Sequence, residues 1–312
     1  MTLDTVAVVT GGRKNRSGAP GKRAGRRFDP LPYILVAPVT LFIIILALVP
    51  AGYTIVQSFF TVDALHPPER FSGLKNFRNL LADDRIMTAL GNTAFYVVVG
   101  VTLSTVLGIA FAVALQRPFR GRGAVIAVLV LPWALPGVVN AILWSGILDA
   151  NGSLVGGLMD LVGMGGDHVL LGQNPWLTRT LIVLVQVWQI TPLSTLLILA
   201  TLQLVPSELY EASSIDGAGR WRSFTSITLP LARAGIAVAM VQAVVQTLNI
   251  FDQPYVLNGS AAMGTSLTIE TYKVSFQALN FGEGYALSLF IAVVTVVLSL
   301  AIIKIVYRKV EM

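Results

Sequence analysis

The sequence predicts an all-α polytopic membrane protein with six transmembrane helices and both termini on the cytoplasmic side. Three observations carry that expectation. First, 54% of the 312 residues are apolar and only 12% are charged, against about 25% charged in a soluble domain. The 22 basic and 16 acidic residues are too few to clothe a soluble particle of this size. Mean hydropathy is +0.73. Second, six apolar runs each reach the roughly 20 residues needed to cross about 30 Å of hydrocarbon. Third, Lys and Arg are unevenly placed between those runs, which sets orientation. The chain has no cysteine, so disulfide scaffolds, thiolate catalysis and cysteine-ligated metal sites are excluded.

Residues 1–32 open the chain as a Gly/Arg-rich, weakly apolar tail that reads as disordered. No A-x-A site follows a short apolar core there, so the first span reads as a retained anchor and not a cleaved signal peptide. The spans are expected at 33–59, 90–115, 124–148, 177–204, 235–257 and 285–307, and the permease body at 33–312. Runs of this length fit helices; barrel strands would be about ten alternating residues. Prolines interrupt four of them: Pro38 and Pro50, Pro132 and Pro136, Pro192, and Pro254. Membrane helices tolerate such breakers where neighbours satisfy the freed backbone. With both termini inside, cytoplasmic segments hold sixteen Lys and Arg and outer segments six. The inner surface then nets +10 and the remainder −4. The excess of positive charge is a topology signal, not a nucleic-acid footprint.

The loop between the fourth and fifth spans, 205–235, stands apart. Pro206 and Ser207 make a helix start, with Ser207 as N-cap. Glu208 and Glu211 fall in the first turn, where the helix dipole favours negative charge. Gly217 and Gly219 break the helix, and a second short stretch from Trp221 to Leu229 ends at Pro230. Such a helix–turn–helix presents a surface to a cytoplasmic partner.

This loop resembles the EAA loop of permease subunits in ATP-binding-cassette importers. The pattern E-A-A, three residues, G, nine residues, I, one residue, L-P falls on Glu211, Ala212, Ser213, Gly217, Ile227, Leu229 and Pro230. Ser213 replaces the second alanine, and Asp216 and Ala218 extend the match. The segments Phe71–Tyr96 and Phe251–Ser260 are similar to the carbohydrate-import branch, of maltose and glycerol-3-phosphate type, although Asn258 replaces a Thr and a Gly-Gly-Pro is lost. The resemblance runs from about Tyr33 to Arg308.

It implies the type I importer transmembrane fold and a prokaryotic cell-membrane location. It implies that Glu211, Ala212, Ser213, Asp216, Gly217, Ile227, Leu229 and Pro230 couple to a cytoplasmic ATPase dimer. ATP and Mg would act in that dimer, because no G-x-x-x-x-G-K-[ST] occurs in this chain. A second permease subunit, the lipid bilayer and an extracytoplasmic solute-binding protein complete the expected partners, with outer segments 61–89 and 149–176 as the docking surface for the last. No nucleic acid, bound cofactor or metal is expected of the chain, and it is not expected to be an enzyme.

Polar residues inside spans usually face a bundle interior or a wet cavity. Gln242, Gln246, Asn249 and Gln253 step by 4, 3 and 4, which places them on one face of an unbroken helix. Amides both donate and accept, as sugar hydroxyls require, and interhelical hydrogen bonding is the other use of such a stripe. In the fourth span, the maltose-type W-x-x-x-P correspondence lands on Gln189 and Thr191. Asn140 and Trp144 share a face of the third, and Trp133 fits either a ring-stacking or an interfacial role. Asp252, the one ionisable residue in the interior of a span, lies just off the stripe. A secondary transporter or channel for a neutral polar solute is the alternative. That class would show intramembrane coupling charges or paired repeats. The two histidines, His66 and His168, fall in outer loops and read as solvated.

Overall fold

The computed structural model describes residues 31–63, 65, 68–148, 174–259 and 263–306. Residues 1–30 of the tail, both histidines and all but the end of the 149–176 segment lie outside the described residues. The chain forms two compact units, one up to Pro50 and the other from Ala51.

In the first unit, α1 (Leu31–Ile43) carries Pro38 and runs into a π-helical turn, Ile44–Leu48. Thr40 Oγ1 donates to Val36 O at 3.0 Å. The side chains from Ile34 to Pro50 are exposed and nearly all apolar, the character of a helix built for lipid. Helix α2 (Val49–Gln57) lies mostly in the second unit, which begins at Ala51.

In the second unit, strands β1 (Phe60–Thr61) and β2 (Arg70–Phe71) pair antiparallel ahead of α3 (Lys75–Ala82). Buried Asn76 fixes this cap by donating to Ser58 O at 2.9 Å and Phe60 O at 2.8 Å. Helix α4 (Asp84–Gln116) starts ahead of its apolar run because Asp83 caps it, accepting from the Arg85 N–H at 2.8 Å. The Arg85 guanidinium, 2.7 Å away, holds the Asp83 carboxyl below the usual carboxylate range. Gly121, at φ +86°, turns the chain into α5 (Arg122–Ala134). Helix α6 (Gly137–Leu148) departs from α5 at 98°, so the third span is not one continuous helix. Pro136 forces this bend: Leu135 before it is extended, with ψ 137°.

Helix α7 (Pro175–Leu202) is the central span. Asn174 caps it and Pro175 occupies its first turn. It packs most extensively on α4, then on α11 (Arg233–Leu248). Small residues permit the close approach. A Cβ at Gly108 would meet Ser194 at 3.0 Å, and one at Gly235 would overlap Thr201 and Leu197 O.

The fifth span also differs from the sequence expectation. Helix α11 stops at Leu248, the chain breaks, and α12 (Asp252–Asn258) follows. Helix α13 (Leu267–Tyr272), a π-helical turn (Lys273–Gln277) and α14 (Phe281–Val306) complete the fold. Among the described residues, four helical stretches are long and apolar enough to cross a membrane: residues 34–57, α4, α7 and α14. Counting each bent pair as one span raises this to as many as six.

Candidate coupling loop and solute cavity

The 205–235 loop folds as α8 (Ser207–Ile215), α9 (Arg220–Ser223), a π-helical turn (Phe224–Thr228) and α10 (Leu229–Leu231). Pro206, not Ser207, holds the N-cap position, and no side chain caps the helix. At the other end Ala218 N–H donates to Ser213 O at 2.9 Å and Gly217 N–H to Ser214 O at 3.2 Å. This Schellman closure needs a left-handed residue, and Gly217 supplies it at φ +76°. Gly219, at φ −70°, is ordinary backbone that caps α9. Pro230 does not end the second leg, which runs on to Leu231. It sits within the returning leg, and the 67° bend comes at Ala232.

The two legs are tied together. Ser213 and Ser223 hydroxyls share a hydrogen bond at 3.0 Å, so the serine that replaces alanine in the motif clamps the hairpin. Tyr210 and Thr228 hydroxyls share another at 3.1 Å, and Gln116 Nε2 donates to Tyr210 at 3.2 Å. Leu229 packs on a core that includes Ala112, Leu115, Leu202 and Ala232, while Ile227 is half-buried. Glu208, Glu211, Ala212 and Asp216 are exposed. The two most exposed large apolar residues of the loop are Ile215 at 85% and Trp221 at 76%. Beside α8, a groove of about 440 Å³ is lined by residues including Arg117, Gln203, Ser207, Tyr210 and Glu211. The sequence motif missed Tyr210, Ser223, Ile215 and Trp221. The two apolar residues were detectable as bulk that a polar loop has no core to bury.

The second site lies where the two broken spans meet. A cavity of about 210 Å³ is lined by residues including Trp133, Gln186, Gln189, Gln246, Asn249, Asp252 and Gln253. Irregular backbone at membrane depth must find partners, and here it does. Ser266 Oγ donates to Ile250 O at 2.7 Å and Thr268 Oγ1 to Leu248 O at 3.3 Å. Gln189 Nε2 donates to Leu135 O at 3.3 Å, across from the α5–α6 bend, and its Oε1 accepts from Gln253 Nε2 at 2.5 Å. The Asp252 carboxylate lies against Gly137, where a Cβ would collide with it.

Four of the eight residues expected along a solute path therefore share this cavity: Gln189, Gln246, Asn249 and Gln253. They do so across a helix break, not along one helical face. Gln242 is half-buried and outside the lining. Thr191 is buried and donates to Val187 O at 2.6 Å within its own helix. Trp144 packs edge-on against Trp188 with centroids 5.5 Å apart. Asn140 is fully buried, and its amide has no hydrogen-bond partner among the described residues. Asp252, Gln186 and Gly137 join the site by tertiary contact. Among the described residues, no group of three or more His, Cys, Asp and Glu could hold a metal.

A multi-pass helical membrane protein with two broken spans around a polar cavity and a folded loop of short helices has the parts of a permease-type membrane domain. Residues 104–311 match the family model described as binding-protein-dependent transport system inner membrane component, and the chain belongs to that family. It is 32% identical over 280 residues to the trehalose/maltose transport system permease protein MalF of Thermococcus litoralis, covering 90% of this chain and 93% of that one. It is 32% identical over 275 residues to the trehalose transport system permease protein SugA of Mycobacterium tuberculosis, covering 88% of each. The fold is similar to a chain of a bacterial ABC transporter involved in import of the acidic polysaccharide alginate, with TM-score 0.77, 22% identity, and 90% and 96% of the two chains covered. A second structure of a bacterial alginate transporter, in complex with an alginate pentasaccharide-bound periplasmic protein, matches with TM-score 0.73, 21% identity, and 87% and 92% covered.

Proposed function

We propose that the chain is one permease of an ATP-driven importer for a neutral sugar or sugar derivative in a prokaryotic cell membrane. In this reading both termini and the 205–235 loop are cytoplasmic. A second permease lies alongside, an ATP-binding-cassette dimer holds α8, and an extracytoplasmic binding protein delivers solute to the outer face. ATP and Mg act in the ATPase, whose closure moves α8 and with it the returning leg, α10 and α11. The observation that carries the reading is the loop itself: a short acidic helix closed by Gly217, clamped at Ser213 and Tyr210, and pinned to the membrane core by Leu229.

The cavity supports a polar, uncharged solute. It presents amides that can both donate and accept. Relatives named for trehalose, maltose and diacetylchitobiose support a sugar. Gln189, Gln246, Asn249 and Gln253 are the residues proposed to meet it. The test is uptake of labelled trehalose and maltose into vesicles holding the complete complex. Uptake should require both ATP and the binding protein. Uptake that persists without ATP, driven by an ion gradient, would place the chain among secondary transporters instead.

A further inference from the structure

We propose that a ladder of five aromatic rings is the track along which sugar rings enter the cavity from the outer side. The proposal rests on the sugar-importer reading above. The ladder begins in the cavity wall. Phe251 lines the cavity and stacks on Tyr255, with centroids 5.2 Å apart and planes at 13°. Tyr272 meets both, at 5.7 Å from Phe251 and 6.3 Å from Tyr255. Phe276 follows at 5.6 Å and Phe281 at 6.1 Å. Phe281 opens α14 beside Asn280, which bridges to Asp63 in the outer cap. The series therefore joins the outer end of the last span to the mid-span cavity without a gap.

Its construction follows from the break in the fifth span. Phe251 occupies the break, Tyr255 comes one turn later on α12, Tyr272 ends α13, and Phe276 lies one turn further in the π-helical turn. None of these rings is buried. Tyr255 is 41% exposed, Tyr272 36% and Phe276 64%. Neither phenol hydroxyl has a hydrogen-bond partner among the described residues. Against hydrocarbon such a hydroxyl stays unsatisfied at a cost. Along a wet groove it is hydrated until a solute hydroxyl replaces the water. A sugar ring offers an apolar C–H face and a polar rim. The ladder offers ring faces and edges in turn, with hydroxyls at two of its five steps and neighbouring centroids 5.2–6.3 Å apart. Several weak stations in series also suit passage, which needs entry without a trap.

The test uses the complete importer in proteoliposomes with labelled trehalose and maltose as probes. Tyr255→Leu and Tyr272→Leu keep apolar bulk and remove the flat face; Tyr255→Phe and Tyr272→Phe keep the face. The leucine variants should lower uptake at sub-saturating sugar about ten-fold or more, with the subunits still co-eluting. The phenylalanine variants should stay within about three-fold of the unmodified importer. Leucine variants that transport normally would show a face packed only against lipid and overturn the track. Leucine variants that lose the second permease on purification would make it a subunit interface and overturn it equally. If the unmodified importer takes up no sugar with ATP present, the sugar reading itself has failed and the track falls with it. That result is read without any substitution, so the two failures are distinguishable.

Discussion

Gly217 sits at φ +76° with open space around the position of a Cβ, so an alanine there meets no neighbour and only the backbone objects, by about 1–2 kcal/mol. Gly217→Ala should therefore loosen the end of α8 and slow sugar uptake without loss of membrane insertion, as measured by uptake and membrane fractionation. Glu211 is exposed and its carboxylate makes no hydrogen bond among the described residues. Glu211→Lys should leave the chain inserted and weaken co-purification of the ATPase. Gly137 differs in kind, because a Cβ there would strike the Asp252 carboxylate. Gly137→Ala should destabilise the purified protein by about 1–3 kcal/mol in thermal unfolding, the range for overpacking. Adding Asp252→Ala should recover most of that loss, a coupling expected only of touching residues. Gly217 was legible in the sequence because the motif and the helix stop coincide on it. The Gly137–Asp252 contact was not, because it joins two spans that no local pattern relates.

At the scale of elements, the two broken spans show what a sequence can and cannot signal. Pro136 was read as a tolerated breaker inside one span, and the structure makes it the site of a 98° bend. The break after Leu248 carries no such mark, because Asn249, Ile250 and Phe251 are residues that a helix admits. The 4-3-4 spacing of amides assumed continuity there, and the structure reaches a shared cavity by another route. What stabilises the break is remote: Ser266 and Thr268 accept the role of satisfying carbonyls that α11 gives up. Ser266→Ala should leave Ile250 O unpaired and remove the cap on Ile269 N–H, costing about 1–3 kcal/mol. Thermal unfolding in detergent would check this, and an unchanged midpoint would mean that water replaces the hydroxyl. The 205–235 loop was read more fully. Its helix, turn and second helix were expected in order, but Pro206 holds the cap, Glu208 alone of the two glutamates lies in the first turn, and the bend comes at Ala232.

At the scale of the whole molecule, the shortage of charge pointed to a polytopic helical chain, and the similarity in fold to an importer subunit agrees with it. Orientation rests on the excess of Lys and Arg in one set of segments. Because the chain has no cysteine, single replacements report sidedness directly. Lys75→Cys, exposed on α3, should react with an impermeant maleimide in intact cells. Ser214→Cys, exposed on α8, should react only after permeabilisation. The reverse pattern would invert the topology and put the loop out of reach of any cytoplasmic ATPase.

The central claim is that α8 carries force from ATP hydrolysis into the membrane helices. Its most direct measurement is the ratio of sugar imported to ATP hydrolysed in the reconstituted complex carrying Gly217→Pro. Proline cannot adopt the left-handed conformation that closes α8, nor donate the Gly217 N–H bond to Ser214 O. The expected result is an inserted, assembled subunit whose import per ATP falls about ten-fold or more. Import per ATP equal to that of the unmodified complex would contradict the claim.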